Sequence, residues 1–327
     1  MGQGRTMSDM RYRRLGDSGL VVSVVGLGAN NFGWHDRVDA KGTRIVLDAA
    51  QEAGVTLIDT ADVYGDSEEL LGDALTGRRD EFVLATKFGS DLQGANGPDW
   101  GARGSRRYIR RAVERSLRRL RTDHIDLYQL HRPDPDTPIA ETLEALTELV
   151  REGKVRYIGS SNLSGWQLAD ADWTATSRGL ARFISAQNEY SLLDRRADAE
   201  LLPAADHFGV GVLPYFPLAS GLLTGKYRRG ADLPENSRYR AMGIGDRLTD
   251  SRFDVVEALT AFAEERGVSL LDVAISGLAA QPAVASVIAG ATSAEQIRAN
   301  ARAGLWEPTS EDLAALDAIV VPGARVL

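Results

Sequence analysis

Short apolar runs alternate with longer amphipathic stretches along the chain. Eight runs are rich in Val, Ile and Leu: residues 21–28, 55–59, 82–87, 125–130, 154–160, 182–187, 210–215 and 285–290. Apolar character on both faces predicts parallel strands covered by helices, not half-exposed antiparallel ones. The intervals carry helical spacing. Within 105–121, Ile109, Val113, Leu117 and Leu120 share one face, with Ser105 as N-cap. Within 137–151, Ile139, Leu143, Leu146 and Val150 repeat the pattern. Arginines fill the rest of the first helix, and a solvated outer face accounts for them better than a phosphate site. Strand then helix, eight times, predicts an α/β chain closed into a (β/α)8 TIM barrel.

Ahead of the barrel, residues 11–14 and 20–23 flank Gly16-Asp17-Ser18-Gly19. This is a hairpin signal, placed to cap the barrel's N-terminal mouth. Two connections, 88–104 and 218–250, are long and follow strands at the expected active face, as lids or cofactor clasps do. Residues 1–10 read as a disordered extension and 11–327 as a single domain. An open doubly wound sheet would need G-x-G-x-x-G, but Gly26-Leu27-Gly28 continues with Ala29-Asn30-Asn31. A Walker A loop also fails, since GLLTGK is one residue short and Tyr227 follows it.

Composition narrows the function. A net charge of −8 argues against nucleic acid or an anionic membrane as the main partner. The chain has no cysteine, which excludes disulfides, thiolate catalysis and cysteine metal sites. No apolar stretch reaches a membrane-spanning length, and the first ten residues lack a secretion signal's apolar region. A cytoplasmic location is expected. The four histidines form no metal-ligand pattern.

Asp59, Tyr64, Lys87 and His131 each lie at or just past the end of an apolar run: TLIDTADVY, EFVLATK and DLYQLH. In a barrel they open onto one mouth, where such folds place their chemistry. A carboxylate, a phenol, an ammonium and an imidazole suit proton transfer to a carbonyl oxygen. Singly, each has a structural reading as ion pair, strand-end aromatic or core histidine; four on one face do not. A free phenol has a pKa of about 10, and lowering it by two or three units takes roughly 3–4 kcal/mol. An ammonium ~4 Å away supplies about that much at an effective dielectric of ~20. Lys87 is therefore expected to tune Tyr64, with Asp59 holding the lysine's charge. His131, neutral, is expected to donate to the carbonyl oxygen. Carbonyl reduction also needs a hydride, which no side chain donates, so a cofactor is expected.

Several motifs occur together: IDTADVYGDSEELLG, ATK, DLYQLHRPD, RYIGSSN, AQNEYSLLDR, YFPLASGLLTGKY and IAGATSAEQIRAN. With them the chain resembles the aldo-keto reductase superfamily over about residues 11–321, most nearly its bacterial and potassium-channel-β-like branch. The resemblance implies the tetrad Asp59, Tyr64, Lys87 and His131, the cofactor NADP(H), and small carbonyl substrates. It implies that Ser161, Asn162 and Gln187 hold the nicotinamide carboxamide, near Ala29 and Asn30, while Tyr215 stacks on the ring. It places Phe216, Pro217, Leu218, Ala219, Ser220 and Gly221 under the pyrophosphate, with Lys226 and Arg238 as its basic residues. Gly290, Thr292, Gln296 and Asn300 then form the adenosine site, with helix N-terminal amides for a 2′-phosphate.

Three positions depart from the pattern: Phe216 replaces a small polar residue, Ala289 a proline and Ala299 an acid. The expected preference for NADPH rests on Thr292, Gln296, Lys226 and Arg238. Trp34, Phe88, Trp100 and Tyr190 are expected to form an apolar substrate wall, from their positions beyond strand ends. The channel-β resemblance also implies an alternative, a cofactor-sensing regulatory subunit with little turnover. His131 argues against it, because that branch tends to lack this histidine. A Schiff-base lyase using Lys87 is a third reading, against which the cofactor motifs weigh.

Overall fold

The structure, a computed structural model, describes residues 9–33, 37–235 and 237–327. The expected N-terminal extension therefore lies almost wholly outside the described residues. An antiparallel hairpin, β1 (Tyr12–Arg14) and β2 (Val21–Ser23), comes first. Eight parallel strands follow: β3 (Val25–Gly28), β4 (Leu57–Asp59), β5 (Val83–Phe88), β6 (Ile125–Leu130), β7 (Val155–Ser161), β8 (Phe183–Gln187), β9 (Gly211–Val212) and β10 (Val287–Gly290). Their order is β10-β3-β4-β5-β6-β7-β8-β9. The two edges then join, because Ala285 N–H donates to Val212 O at 3.0 Å and Ile288 N–H to Pro214 O at 2.9 Å. This is a (β/α)8 barrel with a hairpin cap.

The helices between strands are α1 (Ala40–Glu52), α2 (Ser67–Ala74), α3 (Arg106–Arg119), α4 (Ile139–Arg151), α5 (Gly165–Arg178) and α6 (Leu201–Phe208). Between β9 and β10 come α7 (Arg238–Ala241), α8 (Asp250–Glu265) and α9 (Leu270–Ala279); α10 (Ala294–Ala303) and α11 (Ser310–Ile319) end the chain. Among the described residues no helix is long and apolar enough to cross a membrane.

The apolar run 21–28 is two strands, not one. Val24 N–H donates to Arg11 O at 2.9 Å, so the chain leaves the hairpin there and enters the barrel at Val25. The run 210–215 yields only Gly211–Val212. Pro214 has no N–H to give, and beyond Val212 the pairing with β8 and the residues after it breaks into isolated bonds, among them Leu213 N–H to Ala186 O and Tyr215 N–H to Asn188 O. The hairpin plugs the barrel floor: Leu15 and Val22 pack with Leu57, Ala85, Leu127 and Leu213. Gly16 makes that fit possible. Its φ is +58°, and a Cβ there would lie 2.3 Å from Gly209 O.

Ser105 caps α3 as expected, accepting from Tyr108 N–H. Helix α4 starts only at Ile139, because Pro138 holds φ −56° and ψ 135° at the N-cap. Three of the seven arginines on α3, Arg106, Arg110 and Arg119, are ion-paired. Arg110 reaches Glu148 at 2.7 Å and Glu152 at 2.5 Å on α4, and Arg119 reaches Glu68 on α2 at 2.6 Å.

Helix α2 meets the end of α3 so closely that a Cβ on Gly72 would lie 2.3 Å from Arg119 O and 2.8 Å from Leu120 C. Both are backbone atoms that cannot rotate away. Gly72→Ala is expected to destabilise the fold by about 1–3 kcal/mol. Urea unfolding should show this as a lower midpoint with an unchanged slope.

Candidate active site

The tetrad is assembled by three neighbouring strands. Asp59 ends β4, Lys87 is the penultimate residue of β5, and His131 follows β6. Tyr64 sits in the turn between β4 and α2, where its N–H donates to Ala61 O at 3.1 Å. Lys87 Nζ lies 2.6 Å from Asp59 Oδ2 and 2.9 Å from Thr60 O, with the lysine fully buried. The same ammonium is 5.0 Å from the centre of the Tyr64 ring. The rings of Tyr64 and His131 meet edge to face at 5.7 Å. Asp59 is held from its other oxygen by two barrel amides, Gln129 Nε2 at 3.2 Å and Gln187 Nε2 at 2.8 Å.

Burial pushes the Tyr64 phenol above its ordinary value; the Lys87 ammonium pulls it down and Asp59 pushes it up again. Lys87 lowers the phenol by its charge and by a hydrogen bond, but burial outweighs it. The Asp59 carboxylate, 2.6 Å from the ammonium, offsets part of that pull. The phenol is protonated at neutral pH. Burial also opposes the Lys87 charge, but Asp59 and Tyr64 outweigh it, and the lysine stays protonated. His131 is pushed down to about 3, first by burial and then by Lys87 and Arg132, so its ring is neutral. Ser90 Oγ lies 3.0 Å from His131 Nδ1. A hydroxyl donating there puts the ring proton on Nε2.

Behind the tetrad a buried polar chain ties the 88–104 connection to the tyrosine turn. Asn96 Nδ2 donates to Asp62 Oδ2 at 3.3 Å and to the Tyr108 hydroxyl at 3.1 Å, and that hydroxyl donates to Ser90 O at 3.3 Å. Among the described residues Asp62 Oδ1 has no hydrogen-bond partner. Burial, then the charge of Glu68, push the Asp62 carboxyl up to about 8, against Arg119, Asn96 and Lys87. Tyr108 and Tyr128 are the other titratable groups facing it.

A folded pKa raised above the unfolded one contributes stability below the unfolded value and loses it as pH rises through the folded value. Asp62→Asn is therefore expected to gain stability relative to the parent progressively from about pH 4 to about pH 8. Urea midpoints measured across that range check it; a difference that stays flat would remove Asp62 as a protonated acid.

Above the tetrad opens a cleft of about 750 Å3 at the C-terminal mouth. Asp59, Tyr64, His131, Asn30, Ser161, Asn162 and Gln187 line its floor, with Lys87 buried beneath. Tyr215, Phe216, Pro217, Leu218, Ser220, Gly221, Lys226 and Arg238 line one wall; Gly290, Thr292, Gln296 and Asn300 line another. Ala29 is buried below, and Ala219 folds under the wall with its N–H on Phe216 O at 2.9 Å. The floor polar groups hold one another: Ser161 Oγ donates to Gln187 O at 2.7 Å, Asn162 Nδ2 to His131 O at 2.9 Å, and the Tyr215 hydroxyl to Asn162 Oδ1 at 2.8 Å.

Phe216, Ala219 and Ser220 all have left-handed backbone, at φ 53°, 46° and 60°. A run of such non-glycine residues is costly and marks a segment shaped for a ligand. Phe216 is the platform under Arg238, whose guanidinium lies 4.9 Å above its ring. Arg37, Lys226 and Arg238 share this end, and burial, then the charge of Arg37, lowers the pKa of the other two. Among the described residues none of the three has a carboxylate partner. Three cations without counter-charge suit an anionic ligand.

The three described residues of the expected apolar wall do not line the cleft. Phe88 is fully buried and stacks on Tyr128 at 4.7 Å, pointing its ring into the core. Tyr190 is buried with its hydroxyl donating to Asp198 at 2.6 Å. Trp100 is 77% exposed, under Arg107, and away from the cleft. Trp34 lies outside the described residues. Sequence reasoning missed Asn31, Arg37, Ser90 and Arg132 in the lining, and Gln129 beneath it. Gln129 carried a signal, as the lone amide within the apolar strand IDLYQL, where an unbonded polar group is costly. Arg37 carried none.

Known proteins share this arrangement of sequence. The sequence model described as Aldo/keto reductase family matches residues 24–321. The oxidoreductase YrpG of Bacillus subtilis is 38% identical over 299 residues, 88% of this chain and 89% of its own. A probable voltage-gated potassium channel subunit beta of Oryza sativa is 39% identical over 306 residues, 90% and 91% of the two chains. The L-glyceraldehyde 3-phosphate reductase of Escherichia coli is 34% identical over 310 residues, 90% and 87% of the two. With a family match across nearly the whole barrel and relatives aligned end to end, this chain belongs to the aldo/keto reductase family.

Proposed function

We propose that the protein is an NADP(H)-dependent oxidoreductase that reduces small aldehydes or ketones to alcohols. The observation that carries this reading is the Tyr64 and His131 rings, 5.7 Å apart, facing one cleft over a buried Lys87–Asp59 pair. The cleft suits a dinucleotide phosphate, because its left-handed wall and three uncompensated cations match a polyanion. Lys226, Arg238 and Arg37 would hold the phosphates, with Gly290, Thr292, Gln296 and Asn300 around the adenosine. Tyr215, fixed by its bond to Asn162, would lie against the nicotinamide. Bound there, the reduced nicotinamide supplies the hydride.

The chain's own residues handle the oxygen. His131 donates from Nε2 to the carbonyl oxygen and orients it. Tyr64 gives its hydroxyl proton to that oxygen as negative charge develops. The phenolate left behind is stabilised by Lys87, whose charge Asp59 maintains. In oxidation the proton runs back to Tyr64. A relative named for L-glyceraldehyde 3-phosphate supports a small aldehyde as substrate.

Relatives named as channel subunits favour a second reading, a cofactor-sensing subunit with little turnover. One experiment separates the two: titrate NADPH into the protein, then add a panel of aldehydes and ketones and follow its oxidation. Carbonyl-dependent oxidation is expected. Tight cofactor binding without it supports the regulatory subunit, and absence of binding removes both.

A further inference from the structure

The cleft has a second cationic end. Arg132 follows His131, lines the cleft and is exposed. Among the described residues it makes no ion pair, hydrogen bond or ring contact. Its charge nonetheless reaches the reacting groups, acting on the Tyr64 phenol, the His131 ring and the Tyr215 phenol. It follows His131 in the chain and lines both the cleft and a side cavity beside Ser90, which none of Arg37, Lys226 and Arg238 does.

Its lack of a partner is notable in a chain with 46 acidic residues. Two carboxylates that share a cavity wall with it, Asp91 and Asp134, are engaged. Asp134 accepts from the Gly104 and Asp136 N–H groups. Asp91 and Asp99 pair with Arg103, at 3.1 and 2.9 Å. Among the described residues lining the cleft the one carboxylate is Asp59, already matched to Lys87 at 2.6 Å. The guanidinium is thus left to meet whatever enters.

The surroundings also give an entering group room. A side cavity of about 250 Å3 shares Ser90 and Arg132 with the cleft and runs on between residues 89–91, 101–103 and 133–135. Its own charges, Asp91 and Asp134 against Arg103 and Arg132, cancel. An anion is accordingly drawn to the cleft side of Arg132, where no carboxylate competes.

Resting on the reading of this cleft as a carbonyl-reducing site, we propose that Arg132 anchors the substrate. The preferred substrates are then short aldehydes or ketones carrying a carboxylate or a phosphate. A planar guanidinium with free N–H groups takes either oxyanion in a paired contact, and does so far better than a lysine can. His131 and Arg132 are adjacent in the chain, so only a few atoms separate the carbonyl oxygen from the anionic group. A substrate caught at both points presents its carbonyl to Tyr64 in one orientation.

The test compares matched substrates with NADPH: 4-oxobutanoate against its methyl ester, and glycolaldehyde phosphate against glycolaldehyde. The charged member of at least one pair is expected to have the higher kcat/KM in the parent protein; which pair shows it tells carboxylate from phosphate. In Arg132→Met the charged-to-neutral ratio is expected to fall about tenfold to a hundredfold, mainly through KM, with Arg132→Lys recovering part of it. A parent protein indifferent to charge in both pairs, or a ratio unchanged in Arg132→Met, overturns the proposal.

Should neither member of either pair be reduced, the reductase reading fails by itself. The anchor is then decided by calorimetric titration of succinate and of inorganic phosphate into the parent protein and Arg132→Met. Binding of either anion that weakens in the variant supports it; equal heats in the two proteins overturn it.

Discussion

Tyr64→Phe is expected to lower kcat for carbonyl reduction by about 10²–10⁴-fold while NADPH still binds. The substitution removes one oxygen and keeps the ring, so the edge-to-face contact with His131 and the ring's place over Lys87 survive. What is lost is the proton. Steady-state rates with a fluorescence titration of NADPH check both halves, and turnover within a few-fold of the parent would remove Tyr64 as the acid. The pH dependence follows from the same geometry. Burial raises the phenol above its ordinary value, so the donor stays protonated through neutrality. Reduction is expected to be flat from neutral to mildly alkaline pH and to fall only beyond, whereas alcohol oxidation, which needs the phenolate, rises with pH.

The barrel and the tetrad were readable from residues because each leaves a local mark. Strands covered on both faces are apolar at every position, as in IDLYQL or FVLATK, and polar groups at their ends are visible against that background. The split at Val24 was not readable. VVSVVGLG is one unbroken apolar run, and only the bond from Val24 to Arg11 separates hairpin from barrel. The aromatic residues misled for a related reason. A ring just past a strand end can turn into the core or into the cleft, and sequence position does not say which. Phe88 turns inward to meet Tyr128, and Tyr190 inward to meet Asp198.

Charge balance was hidden as well. Arg37 and Arg132 look like any other arginine in a chain with 38 basic residues. They become candidates only when the carboxylates that could neutralise them are found engaged elsewhere. The sign of the Tyr64 shift was lost in the same way. Treating Lys87 as a lone charge leaves out both the burial of the phenol and the carboxylate that screens the ammonium from it.

That carboxylate is expected to be the tetrad's main structural dependency. Asp59→Asn keeps the shape of the side chain and leaves the fully buried Lys87 ammonium with neutral partners alone, the Thr60 carbonyl at 2.9 Å and the Tyr64 hydroxyl among them. Removing one partner of a buried pair costs about 3–5 kcal/mol, because the remaining charge has neither water nor counter-ion. Urea unfolding should show a loss of that size, with turnover falling alongside it as Lys87 gives up its proton. The double variant Asp59→Asn with Lys87→Met removes both charges. It is expected to recover much of the stability and none of the activity, a coupling that separates the ion pair from simple damage to the core.

The pH dependence carries a further check. In the parent protein Lys87 is held protonated, its pKa raised, so its contribution is complete below the unfolded value and lost above it. In Asp59→Asn burial meets only the weaker opposition of Tyr64 and lowers the same pKa, so the penalty is largest where the unfolded chain's lysine is charged and shrinks as the solution turns alkaline. The stability gap between the two proteins should therefore narrow towards high pH. A gap that holds constant there, or an Asp59→Asn protein within about 0.5 kcal/mol of the parent, would mean that Thr60 and Tyr64, not the carboxylate's charge, keep the lysine in place.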